Sequence, residues 1–288
     1  MGAASDTGRA GPDGRGRTGS AFASPGEPVY ETSIGIPRHG AGPREVARAS
    51  EIWRLFQEVA MEATTAAGWP PERYRAAGTA FVIYGMTAVH HREVGYGQAL
   101  RARTWVYDFK RATLTRRQIR LEDDGGPVAS CTQQWVHTDT DLSPVPASPE
   151  LLAAFPPERP EVPAVTLPDF QRIDDAPGFG FAFTPWHVWM DPLAHVNHPT
   201  YVDFCDESTC RALADAGLDP QGLVPVAEHV RFKSGACAGD EVVVRSRLVG
   251  RTARGDAVFR HDIGGTRPFA QATTVRRHVD VGLVEALG

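Results

Sequence analysis

The chain has 288 residues, with 30 basic and 35 acidic side chains for a net charge of −5, and 42% of it is hydrophobic. Such a composition suits a folded protein of one large domain or two of moderate size. It excludes a nucleic-acid binder built on a basic footprint, and no stretch approaches the ~18 consecutive apolar residues of a membrane span.

In chain order, residues 1–28 are rich in Gly and Pro and contain no apolar run. They predict a disordered tail and lack the apolar region of a signal peptide. Glu45–Ala67 has no Gly or Pro, and Ile52, Leu55, Phe56, Val59 and Ala63 recur at helical spacing before the stop at Gly68. Strands are expected at Ala80–Arg92, Ala99–Phe109, Ala112–Leu121 and Val128–Thr138, with Asp123-Asp-Gly-Gly126 as a hairpin turn. Eight prolines between Ser143 and Pro168 rule out a helix interior or central strand, so residues 141–177 read as a linker. A second helix follows at Pro199–Ala216, with its stop at Gly217. Strands are then expected at Val224–Phe232, Glu241–Val249, Ala257–Ile263 and Phe269–Val279.

The two halves, 29–140 and 178–288, thus share one plan. A shift of 149 residues lays Glu58 on Glu207 and Gly68 on Gly217. Each half is an α+β unit, a long helix followed by a strongly twisted antiparallel sheet able to wrap it. The four cysteines, Cys131, Cys205, Cys210 and Cys237, form no CxxC pair, which predicts a reduced, cytoplasmic chain.

No GxSxG, P-loop or HExxH motif is present. Reactive side chains concentrate instead in Trp189-Met-Asp191-Pro-Leu-Ala-His195-Val-Asn197-His198-Pro-Thr-Tyr201, immediately before the second helix. Free N–H groups at a helix N-terminus can hold a carbonyl oxygen that becomes an oxyanion. A carboxylate beside them, Asp191, can attack a carbonyl or deprotonate water. His195, His198 and Cys205 lack the second pair that zinc needs, so neither metal nor cofactor is expected.

Asp191-Pro-x-x-x-Val196-x-x-Pro199-x-Tyr201 resembles the active-site segment of hotdog-fold thioesterases of the 4-hydroxybenzoyl-CoA type. His195-Val-Asn197 also resembles the DxNxHVNN motif of acyl-ACP thioesterases, which carry two hotdog repeats in one chain. Gly239-Asp240-Glu-Val is similar to the turn that opens a late strand in hotdog enzymes. The resemblance implies a tandem (double) hotdog fold and hydrolysis of an acyl-CoA or acyl carrier protein thioester, within lipid or polyketide metabolism. It makes Asp191 the base or nucleophile, with His195 and Asn197 orienting substrate or water, and His198, Tyr201 and His91 lining the substrate site. Two positions depart from the motif: Leu193 replaces its middle Asn and His198 its second Asn. Cys237 falls where the acyl-ACP group has its active-site Cys, with Ala236 in place of the neighbouring Glu. Glu207 is a further candidate, because another hotdog branch places its acid on this helix. The 149-residue shift sets Gly42, Val46 and Arg48 against Asp191, His195 and Asn197. One active site per chain is therefore expected, in a monomeric pseudo-dimer or a homo-oligomer of it. Arg116, Arg117, Arg120, Arg245, Arg247, Arg251 and Arg254 are either a docking face for an acidic carrier or a solvated sheet surface.

Two other functions compete. His91-Arg-Glu-Val-Gly95 partly echoes the HxxxGxxxxP motif of polyketide dehydratases, with Leu100 at the proline position. A 3-hydroxyacyl thioester dehydratase or hydratase would set a histidine of one half against Asp191. A non-catalytic acyl-binding protein would keep the fold and lose the chemistry.

Overall fold

The computed structural model describes residues 28–158 and 163–288. The expected tail, apart from Pro28, lies outside the described residues.

The first half runs β1 (Val29–Gly35), α1 (Ala49–Ala66), α2 (Pro71–Ala76), β2 (Thr79–His90), β3 (Ala99–Lys110), β4 (Leu114–Asp123) and β5 (Gly126–Asp139). Within the Pro-rich stretch lie α3 (Pro149–Ala153) and β6 (Phe170–Arg172), and β6 pairs with Thr252–Gly250. The second half runs β7 (Gly178–Phe183), α4 (Thr200–Asp215), β8 (Leu223–Phe232), β9 (Val242–Thr252), β10 (Ala257–Gly264), β11 (Pro268–His278) and α5 (Leu283–Leu287). The eleven strands form one antiparallel sheet in the order β1-β3-β4-β5-β2-β8-β11-β10-β9-β6, with β7 also on β9. β2 and β8 join the halves edge to edge, from Gly85 opposite Arg231 to Val89 opposite Ala227.

Helix α1 starts four residues later than its apolar spacing suggests. Glu45 adopts φ 62°, a left-handed conformation that no helix continues, and Val46 bridges to Gly95. Its buried face includes Ile52, Trp53, Phe56, Val59 and Ala63, and the first four join the main apolar core against the sheet. Both long helices end in the same way. Trp69 N–H reaches the Thr64 carbonyl (3.0 Å) and Leu218 N–H the Leu213 carbonyl (2.9 Å), around Gly68 and Gly217 at φ 81° and 74°. These are Schellman closures, and the left-handed residue at their centre is the reason for glycine there. Strand β4 also starts late, at Leu114, because Arg111 and Ala112 both take positive φ in the turn from β3.

The repeat has an axis. Arg54 and Asp203, 149 residues apart, meet between α1 and α4 at 2.8 Å. In the sheet, Thr87 Oγ1 and His229 Nδ1 meet at 2.9 Å, 142 residues apart. The difference of seven arises between the long helix and the next strand, where the first half has the six residues of α2 and the second only a 3-10 turn at Pro220–Gly222. In a symmetric dimer a residue on the axis faces its own copy. Fusion in one chain lets the two positions diverge into an ion pair and a hydrogen bond. Arg117 is buried, with its guanidinium 5.6 Å from the Phe155 ring centre, so it does not belong to an exposed arginine face.

Candidate active site

The segment before α4 folds into a closed loop. Asp191 N–H donates to the His195 carbonyl (2.7 Å), Ala194 N–H returns to the Asp191 carbonyl (2.9 Å), and Ala194 takes φ 60° to close the turn. Asp191 Oδ1 accepts from the N–H groups of Leu193 (2.8 Å) and His195 (3.3 Å). This Asx-type anchor sets the carboxylate's orientation. The other oxygen, Oδ2, has no partner among the described residues.

A second loop, between β8 and β9, holds the first in place. Val196 N–H donates to the Ala236 carbonyl (2.7 Å), and Ala236 N–H donates to the Tyr201 hydroxyl oxygen (3.0 Å). His195 lies against Gly235, where a Cβ would come within 2.4 Å of the imidazole Cγ, so glycine is what lets the ring fit. Cys237 N–H donates to Asp240 Oδ2 (2.9 Å), which also takes Arg267 at 3.1 Å. The Tyr201 pKa is pushed up to about 12, first by burial, with Cys237 and Asp191 adding to the rise. Tyr201 therefore stays a neutral phenol whose hydroxyl ties α4 to the second loop.

At the start of α4, Asn197 N–H donates to the Trp189 carbonyl (2.8 Å), while the Asn197 and His198 carbonyls receive Thr200 and Tyr201 N–H. Among the described residues His198 N–H has no acceptor. Two side-chain atoms here, Asn197 Oδ1 and His198 Nε2, are buried without a partner. The His198 ring sits among Trp53 (6.3 Å), Trp135 (5.9 Å) and Phe232 (6.0 Å), the first two from the first half. Burial drives its pKa down to about 3, so the imidazole is neutral.

Asp191, His195, Asn197, His198, Tyr201 and Cys237 are thus brought together by two loops and one helix end. Glu207 and His91 lie elsewhere. Glu207 is exposed on α4 and pairs with Arg211 (2.7 Å). It lines a cavity of about 580 Å³ at the start of α1, bounded by Gly42–Ala49 and the side chains of Phe181, Phe183 and Trp189. None of Asp191, His195 and Asn197 lines that cavity. His91 Nε2 meets Ser130 Oγ at 3.1 Å, with no contact to Asp191 among the described residues, so the histidine–aspartate pair of a dehydratase is not assembled.

Glu228 lies in β8, within the strand expected from the sequence. It is wholly buried and joins the halves: its carboxylate takes Trp53 Nε1 (3.1 Å) and His90 Nε2 (2.8 Å) from the first, and Arg276 (2.5 Å) from the second. Arg276 in turn reaches Asp206 at 2.8 Å. Burial by itself would raise the Glu228 pKa, but His90 and Arg276 outweigh it and hold the carboxyl at about 2. An acid directly after the apolar run Leu223–Ala227 was the only signal for this network in the sequence. Among the described residues no cluster of three or more His, Cys, Asp or Glu is arranged to hold a metal, and no helix is long and apolar enough to cross a membrane.

A family model described as the thioesterase-like superfamily matches residues 48–155 and 185–285. Among solved structures, the chain is similar to a protein assigned as an oleoyl thioesterase from Lactobacillus plantarum, with a TM-score of 0.74 and 17% identity over 91% of this chain and 99% of that one. It is also similar to the 12:0-ACP thioesterase of Umbellularia californica, with a TM-score of 0.71 and 16% identity over 87% and 94%. An acyl-ACP thioesterase of Bacteroides thetaiotaomicron gives 0.67 and 11% over 86% and 98%. These likenesses establish the double hotdog fold. No protein of curated function matches the sequence.

Proposed function

The chain belongs to the thioesterase-like superfamily, whose enzyme class is thioester hydrolase, and from that premise we propose that Asp191 acts on the carbonyl of an acyl-CoA or acyl carrier protein thioester. The observation that carries this reading is the anchored carboxylate, with Oδ1 held by two N–H groups and Oδ2 free. As a base, Oδ2 takes a proton from the attacking water; as a nucleophile, it attacks the carbonyl carbon and expels the thiolate. In both cases negative charge grows on the carbonyl oxygen. In this reading the unengaged His198 N–H, at the positive end of α4, receives it. The buried, unpaired Asn197 Oδ1 supplies an acceptor for the attacking water, and His195 closes the site from the Gly235 side. His198 and Tyr201 position the helix end, and Cys237 forms part of the wall.

The test is thiol release from a panel of acyl-CoA and acyl-carrier substrates. Asp191→Ala and Asp191→Asn are expected to lower kcat/KM by about 10³-fold, within the range for a general base or nucleophile, or about 4 kcal/mol. Unchanged thiol release in both variants would overturn the role of Asp191 and leave the family membership standing.

A further inference from the structure

The cavity at the start of α1 is lined from both halves but not by Asp191, and its lining is chemically specific. One wall is aromatic: Phe181 stacks on Phe183 (5.2 Å), Phe183 packs on Phe204 (4.6 Å), and Trp186 stacks on Trp189 (5.1 Å). The opposite wall is the loop Gly42–Ala49. Four acids line the space and each has its own arginine: Glu93 with Arg44, Asp203 with Arg54 (2.8 Å), Asp206 with Arg276 (2.8 Å) and Glu207 with Arg211 (2.7 Å). Arg48 is the remaining cation. Its guanidinium donates to the His39 carbonyl at 2.9 Å and meets no carboxylate among the described residues. A cavity of about 580 Å³ is of the size that holds a small organic ligand.

We infer that this cavity is a second, non-hydrolytic ligand site that binds a medium-chain alkyl carboxylate, with the chain against the Phe181–Phe183–Phe204 wall and the carboxylate on Arg48. Such an acid belongs to the product class of thioester hydrolysis, but the site does not depend on Asp191. With Gly42 where the other loop has Asp191, this loop brings no carboxylate of its own to the head group, and the four acids of the lining are each paired with an arginine.

Calorimetric titration with sodium decanoate, and with 1-decanol as the uncharged control, tests the assignment. Wild type and Asp191→Asn are expected to bind decanoate equally. Arg48→Gln is expected to weaken decanoate about tenfold while leaving decanol unchanged, the loss of one charge-assisted pair at a partly open site. Arg48→Lys should recover much of that loss. Gly42→Phe fills the space from a position where an added Cβ meets nothing closer than 3.8 Å, and should abolish both. Absence of decanoate binding to wild type overturns the inference, as does equal affinity in Arg48→Gln. Binding lost in Asp191→Asn but kept in Gly42→Phe would assign the acid to the Asp191 site and equally overturn it.

Discussion

At residues 41–49 and 190–198 the backbone makes the same contacts 149 positions apart. Gly42 N–H reaches the Val46 carbonyl (2.8 Å) as Asp191 N–H reaches that of His195 (2.7 Å), and Glu45 and Ala194 take φ 62° and 60°. Ala41 bridges to Ala47 as Met190 does to Val196. Each loop is also pinned to a second one, Ala47 N–H on the Val94 carbonyl and Val196 N–H on that of Ala236. Only the side chains differ: Gly42, Val46, Arg48 and Ala49 stand where the second loop has Asp191, His195, Asn197 and His198. The loop is therefore a packing device first, needed to start a long helix inside a curved sheet. Its chemistry is an addition that one half carries and the other does not.

The comparison breaks most severely where the halves are welded. Glu228→Ala leaves buried Arg276 with only one of its two counter-charges, Asp206, and unfolding by denaturant should register a loss of about 3–5 kcal/mol. With a folded pKa of about 2, below the ordinary 4.5, Glu228 contributes stability that is present above pH 4.5 and lost as pH falls towards 2. In Glu228→Gln that acid-side decline should shrink.

The next effect separates His198 from Ala49, its counterpart. The folded protein keeps His198 neutral down to about pH 3, whereas an unfolded histidine takes a proton near 6.5. Its contribution is thus complete above pH 6.5 and declines as pH falls. By pH 5 it amounts to a loss of up to about 2 kcal/mol. Measured from pH 7 to 5, His198→Gln should lose less stability than wild type, each relative to its own value at pH 7. An equal slope in both would show that His198 is already hydrated.

Smaller effects probe the two ends of the helix pair. Glu207→Gln, at the cavity by the start of α1, should leave kcat/KM within about twofold, because its carboxylate is exposed and paired with Arg211. A hundredfold loss would move the chemistry to the α1 end. Smallest of all, Gly42→Asp in an Asp191→Asn background should regain less than about a hundredth of wild-type thiol release, because Val46 and Arg48 cannot serve as His195 and Asn197 do. Substantial recovery would mean that the carboxylate by itself makes the site.

Local sequence determined a good deal of this. Helical periodicity and the glycine stops located α1 and α4, alternation located eight strands, and the 149-residue shift foretold which loop would carry Asp191. These features are set by short-range backbone physics, so they survive being read one segment at a time. Strands β1, β6 and β7 escaped because strands as short as seven, three and six residues carry little pattern of their own and are held by β3 and β9. The Glu228 network, the aromatic cage of His198 and the placement of Glu207 away from Asp191 were decided only by the tertiary structure. Each depends on which residues of one half meet the other across the β2–β8 seam and the α1–α4 crossing. Separations of 138 to 175 residues between Glu228 and its first-half partners leave no trace in either segment read by itself.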